Sequence, residues 1–134
     1  MFLLDTDVLS ALRRIHRNPR VVRWVETQQT SNLHVSVVTI GEIERGIEQQ
    51  RRRNSVFAGG LANWLDRVLS LCQDRVLPVD VAIARRWGRL SAAIGHNNVD
   101  LLIAATAVEH GFTEVTRNVQ HFEPAGVATL DPIE

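Results

Sequence analysis

The chain has 134 residues, 45% of them hydrophobic, and its fifteen basic and fifteen acidic residues leave no formal net charge. That length suits one compact core and is short for two domains, while the apolar content and three Trp argue against disorder. Neutrality argues against a strongly basic nucleic-acid binder, the lone Cys72 excludes an internal disulfide, and no apolar run approaches the roughly 18 residues of a membrane helix.

In chain order, Phe2–Leu4 read as a short buried strand, followed by a helix from about Asp7 to Ile15. Pro19 starts a second helix, PRVVRWVETQ, with Val21, Trp24 and Val25 on one side. A turn at Ser31-Asn32 precedes a β-branched strand over His34–Val38, and Thr39 begins a helix that runs to about Gln49. A polar break at Arg51–Asn54 leads to a longer apolar helix, about Phe57–Leu71, weakened at Gly59-Gly60. Val76–Val79 is a third strand, which Pro78 assigns to a sheet edge. Asp80 caps a helix over Val81–Ile94, stopped by Gly95, and Asp100–His110 is apolar on nearly every side and stopped by Gly111. Glu114–Thr116 and Ala128–Leu130 complete the strands. Strands separated by helices imply a central, mostly parallel sheet in a single three-layer α/β/α domain spanning 1–134.

Three carboxylates stand where a strand or loop turns into a helix: Asp5 in FLLDTDVLS, Glu42 after VSVVTIGE and Asp100 opening VDLLIAATA. Strand ends of an open α/β sheet converge on one crevice, so these residues can meet there. Held within about 5 Å, each pair would repel by roughly 3 kcal/mol at an effective dielectric of ~20. A divalent cation removes that repulsion, and oxygen ligation without Cys or clustered His favours Mg²⁺ or Mn²⁺ over zinc. Each acid also has a plain structural explanation. Asp5 and Asp100 can cap their helices, and Thr39-Ile40-Gly41-Glu42 fits a T-x-x-E capping box.

Every basic residue is Arg, and between Asp7 and Glu26 stand Arg13, Arg14, Arg17, Arg20 and Arg23 with no acid among them. The guanidinium fork suits phosphate, so this segment could track a nucleic-acid backbone; the plainer reading is a solvated helix face. Near the C-terminus, EVTRNVQHF places Thr116, Asn118 and His121 just after a strand. Asn118 could coordinate through its amide oxygen or position a water, whereas His121 fits a half-buried histidine better than a ligand.

LDTDVLS, VSVVTIGEIERGI and VDLLIAATAVEHG followed by VTRNVQHF closely resemble the PIN domain, and within it the VapC-type toxins of bacterial toxin–antitoxin pairs. The resemblance runs from about residue 2 to residue 131, and its ordered motifs make it specific. It implies Asp5 and Asp100 as direct metal ligands and Glu42 as completing the acidic cluster. The family's frequent fourth acid falls at Asn118, and a common nearby Asp at His121. Both are absent here, which weakens the case for a second, fully charged cation position.

The implied activity is Mg²⁺-dependent (or Mn²⁺-dependent) endoribonuclease cleavage of RNA by a metal-bound water, with Glu42 or Asp100 holding that water. Thr6 and Thr116 would position the acids, and the Arg residues from Arg13 to Arg23 and Arg45 to Arg53 would follow the RNA backbone. The resemblance further implies a VapB-type antitoxin docked beside the early helices, a homodimer, a cytoplasmic location and no membrane contact. Apolar surface near Trp64 and Leu65 would serve an interface or the core. Two other readings stand beside it: a catalytically weak PIN-like module that binds RNA or a protein partner, and a DNA-directed nuclease with the same chemistry.

Overall fold

The computed structural model describes residues 1–133; residue 134, the last of the expected domain, lies outside them. Strand β1 (Phe2–Leu4) leads into α1 (Thr6–Ala11) and α2 (Pro19–Glu26), and β2 (Leu33–Ser36) into α3 (Val37–Arg51) and α4 (Ser55–Cys72). Next come β3 (Val76–Leu77), α5 (Val81–Ile94), α6 (Asp100–His110), β4 (Thr113–Val115), α7 (Val119–Phe122) and β5 (Thr129–Leu130). The five strands form one sheet in the order β3-β2-β1-β4-β5, and every pairing is parallel.

Side chains alternate across a strand, so consecutive residues of β1 serve different cores. Leu4 joins Val8, Val35, Ile43, Ile47, Leu65 and Val115 beneath the early helices. Leu3 joins Leu101, Ile103, Ala104, Phe122 and Val127 on the opposite side. Fully buried residues such as Ile47 each contribute about 1.5–3 kcal/mol of apolar burial. The result is the expected three-layer α/β/α arrangement with a parallel sheet. No described helix is long and apolar enough to cross a membrane.

Most element boundaries differ from the sequence expectation by one or two residues, and β3 stops at Leu77 instead of Val79; α1 and β2 differ for a traceable local reason, and one helix is new. Helix α1 stops at Ala11 instead of Ile15, because the Asn18 side chain donates to the carbonyls of Ala11 (3.2 Å) and Arg14 (3.1 Å) and holds the chain in a turn. Strand β2 ends at Ser36 although Val37 and Val38 are β-branched. The Ser36 hydroxyl accepts from the Val38 amide (3.0 Å) and caps α3, which therefore starts at Val37, two residues before Thr39. The four-residue helix α7 was not anticipated; its apolar anchor is the buried Phe122. By contrast β3 occupies a sheet edge as expected, with Pro78 just beyond its end, and Gly95 and Gly111 end α5 and α6 with φ of 94° and 69°.

Candidate acidic site

Asp5 follows β1 and stays tied to the sheet through its amide, which donates to the Val115 carbonyl (3.0 Å). Its Oδ1 accepts from the Val8 amide (2.8 Å), so Asp5 does cap α1, and its other oxygen remains for a different partner. Only 7% of the residue is exposed. Burial raises its pKa, the Thr116 hydroxyl and the Val8 amide pull it back, and the nearby charges of Asp7 and Asp100 push it up again. Capping and a charged-cluster role therefore coexist in one side chain.

Glu42 has a different anchor from the expected capping box. Because α3 begins at Val37, Glu42 lies in its second turn, out of reach of the cap. Its Oε1 accepts from the Thr6 hydroxyl at 2.6 Å, and Thr6 is also 3.0 Å from the Thr39 hydroxyl. Thr6 has one proton, and Glu42 receives it, so Thr39 must be the donor in the second bond. The relay Thr39–Thr6–Glu42 clamps the carboxylate against the residue next to Asp5.

Asp100 occupies the first turn of α6 and makes no capping bond. Only Gly111 and Phe112 separate α6 from β4, so the helix runs back along the strand and its first turn lies at the carboxyl edge of the sheet. Asp100 Oδ2 is 3.1 Å from His121 Nε2, close enough for an ion pair but without hydrogen-bond alignment. The His96 ring stacks on His121 with centroids 6.1 Å apart.

A fourth acid, Glu114, enters from β4. It pairs in register with Leu3, so strand alternation puts it on the Leu3 and Asp5 side of the sheet. It is wholly buried and neither carboxyl oxygen has a hydrogen-bond partner. Burial, with the charges of Asp5 and Asp100, pushes its pKa up to about 9. Leaving such a group unpaired costs about 1–3 kcal/mol.

Beside this cluster runs a groove of about 490 Å³, with Thr6, Asp7 and Glu42 at one side and Arg13, Arg14, Arg17 and Arg117 around it. Phe57, Leu61 and Trp64 from α4 supply an apolar wall. Arg13 lies over the Phe57 ring at 5.1 Å, and Arg117 binds Asp7 (2.9 and 3.2 Å) and Asn18 (3.1 Å). Arg14 and Arg17 are exposed.

A family model for the PIN domain matches residues 2–126. The chain belongs to the PIN domain family. This PIN domain is 33% identical over 141 residues to the VapC ribonuclease Y4jK of Sinorhizobium fredii, covering 100% of this chain and 99% of that protein. It is 32% identical over 139 residues to the Toxin FitB of Neisseria gonorrhoeae, covering 98% of each. Its fold superposes on a chain of the crystal structure of FitAcB from Neisseria gonorrhoeae with a TM-score of 0.87, at 31% identity and 98% coverage of both chains.

Within the PIN domain, Asp5, Thr6, Glu42, Asp100 and Thr116 gather at the carboxyl edge of the sheet, as their positions in the sequence suggested. Asn118 is exposed and lines a neighbouring depression with Arg117, Val119, Gln120, Glu123 and Asp131, while its amide donates to Thr116 (3.0 Å). The Arg run divides. Arg13, Arg14 and Arg17 reach the groove, and Arg45, Arg52 and Arg53 line a separate polar concavity. Leu65 is core at 2% exposure, whereas Trp64 faces the groove.

Glu114 was missed by sequence reasoning. The available signal was an acid inside FTEVT, a strand buried on both faces. Among the described residues, no three His, Cys, Asp or Glu side chains form a ready cation cage. The donor chemistry still fits a hard divalent cation, since carboxylate oxygens dominate the site and two of them are buried without a partner, although His121 Nε2 stands 3.1 Å from Asp100.

Proposed function

We propose that this PIN domain is a divalent-metal-dependent endoribonuclease that acts as the toxin of a VapBC-type toxin–antitoxin pair. The observation that supports the reading most is that buried Asp5 lies within reach of the charge of Asp100 while its neighbour Thr6 binds Glu42 at the edge of an Arg-lined groove. Asp5, Asp100 and Glu42 would hold Mg²⁺ or Mn²⁺, which when bound supplies Lewis-acid activation of water and neutralises phosphate charge. Thr116 and the Val8 amide orient Asp5, and the Thr39–Thr6 relay orients Glu42. Either Glu42 or Asp100 accepts the proton of the attacking water. Arg14 and Arg17 bind backbone phosphates along the groove, drawing RNA toward a centre that would otherwise repel it. Asn118, at the rim, positions RNA or a water.

The antitoxin reading draws on the relatives. One similar structure is of FitAB bound to an IR36 DNA fragment, at 29% identity and a TM-score of 0.77. In this chain the apolar wall of Phe57, Leu61 and Trp64 beside Arg14 and Arg17 suits an amphipathic antitoxin segment with an acidic edge. A homodimer and a cytoplasmic location belong to the same reading. Induced expression should arrest growth, Asp100→Asn should relieve the arrest, and so should co-expression of an antitoxin-like reading frame found directly upstream of the gene. Arrest of equal strength with Asp100→Asn would rule out cleavage at this site as its cause.

A further inference from the structure

We propose that Glu114 is a carboxylate donor of the metal centre, supplied from inside the sheet; the inference rests on the metal-nuclease reading above. Six polar or charged residues are buried among those described: Asp5, Ser36, Thr39, Thr106, Glu114 and Thr116. Five have evident work. Asp5 and Ser36 cap helices, Thr39 holds Thr6, Thr106 donates to the Leu102 carbonyl (2.7 Å), and Thr116 receives the Asn118 amide. Glu114 alone has nothing: no cation, no donor and no water-facing surface. A buried carboxyl without a partner is the kind of exception that points to an ion.

Its place supports the same conclusion. The Leu3–Glu114 register puts Glu114 one strand repeat, about 6.6 Å, below the level of Asp5 and on the same side of the sheet. Helix α6, with Asp100 in its first turn, covers that side. The charges that act on Glu114 are those of Asp5 and Asp100, both of its own sign. Asp5 and Glu114 are buried, and the half-buried Asp100 acts on both through its charge; the three form no ready cage, and a divalent cation drawn between Asp5 and Asp100 would give the Glu114 oxygens the partner they lack.

The test is calorimetric titration of the metal-free chain with Mn²⁺, without RNA, for wild type, Asp5→Asn and Glu114→Gln. The expected result is binding by wild type and a loss of at least about tenfold in affinity for Glu114→Gln, with the variant folded by circular dichroism. Unchanged affinity in Glu114→Gln, while Asp5→Asn loses binding, overturns this inference and leaves the metal-nuclease reading standing. No Mn²⁺ binding by wild type overturns both. Should Glu114→Gln fail to fold, Glu114→Met, of similar volume and no charge, is titrated in its place with the same two outcomes.

Discussion

Glu114→Gln should make the metal-free protein more stable, although it removes a carboxyl group from the acidic site. Glu114 is shifted from 4.5 to about 9 by burial first and by Asp5 and Asp100 second. The sign follows from linkage. Below pH 4.5 both folded and unfolded chains carry the proton, so ionisation costs nothing. Between 4.5 and about 9 the unfolded chain releases the proton and the folded chain keeps it, so stability falls by about 1.36 kcal/mol per pH unit. At pH 7 that loss has reached about 3 kcal/mol, equivalent to roughly 10 °C in Tm for a domain of this size. Gln has the same shape and leaves an equally unpaired neutral amide, so the comparison isolates ionisation. Urea unfolding of both proteins in EDTA at pH 5, 7 and 9 reads the difference directly. The gap should be small at pH 5 and widen to pH 9. A variant less stable than wild type at pH 7, or a gap constant with pH, would refute the claim that Glu114 lacks a partner.

Other substitutions separate the parts of the site. Asp5→Asn preserves an N-cap residue, so the unfolding free energy from urea titration should stay within about 1 kcal/mol of wild type while RNA cleavage falls at least a hundredfold. Retained cleavage would remove Asp5 from the reaction. Thr6→Val breaks the bond to Glu42 with little change in volume; cleavage should drop about tenfold as Glu42 loses its orientation, and Thr39→Val should add little to it in the double variant. Additive losses would argue against a single relay. Gly111→Ala forces a left-handed residue at φ 69° to carry a Cβ, and thermal unfolding should report a loss of about 1–2 kcal/mol.

Much of this architecture was legible because its signals are local. Alternating apolar strands and amphipathic helices dictated the layers, Asp80 and Gly95 marked the ends of α5, and Pro78, just beyond β3, pointed to a sheet edge. The boundary of α3 was harder. Val37 and Val38 carry strand propensity, and a single hydroxyl, that of Ser36, overrides it by satisfying a helix N-terminus. That two-residue shift removed Glu42 from its apparent capping box and gave it to Thr6, a tertiary contact 36 residues away that no local pattern encodes. The placement of Asp5 and Asp100 at junctions on the carboxyl edge was legible because motif and junction pointed to them together. Glu114 escaped because its meaning depends on register. Only pairing with Leu3 shows that it faces Asp5 and α6. The groove likewise joins α1 to α4, and its apolar wall could not be read from either helix alone.

The most direct test of the central claim is cleavage of RNA by the purified chain in EDTA, in Mg²⁺ and in Mn²⁺, with Asp5→Asn and Asp100→Asn in parallel. The account predicts endonucleolytic products from the wild type with either metal, none in EDTA, and none from either variant although both remain folded. Cleavage that persists in EDTA, or at wild-type rate in both variants, would contradict it.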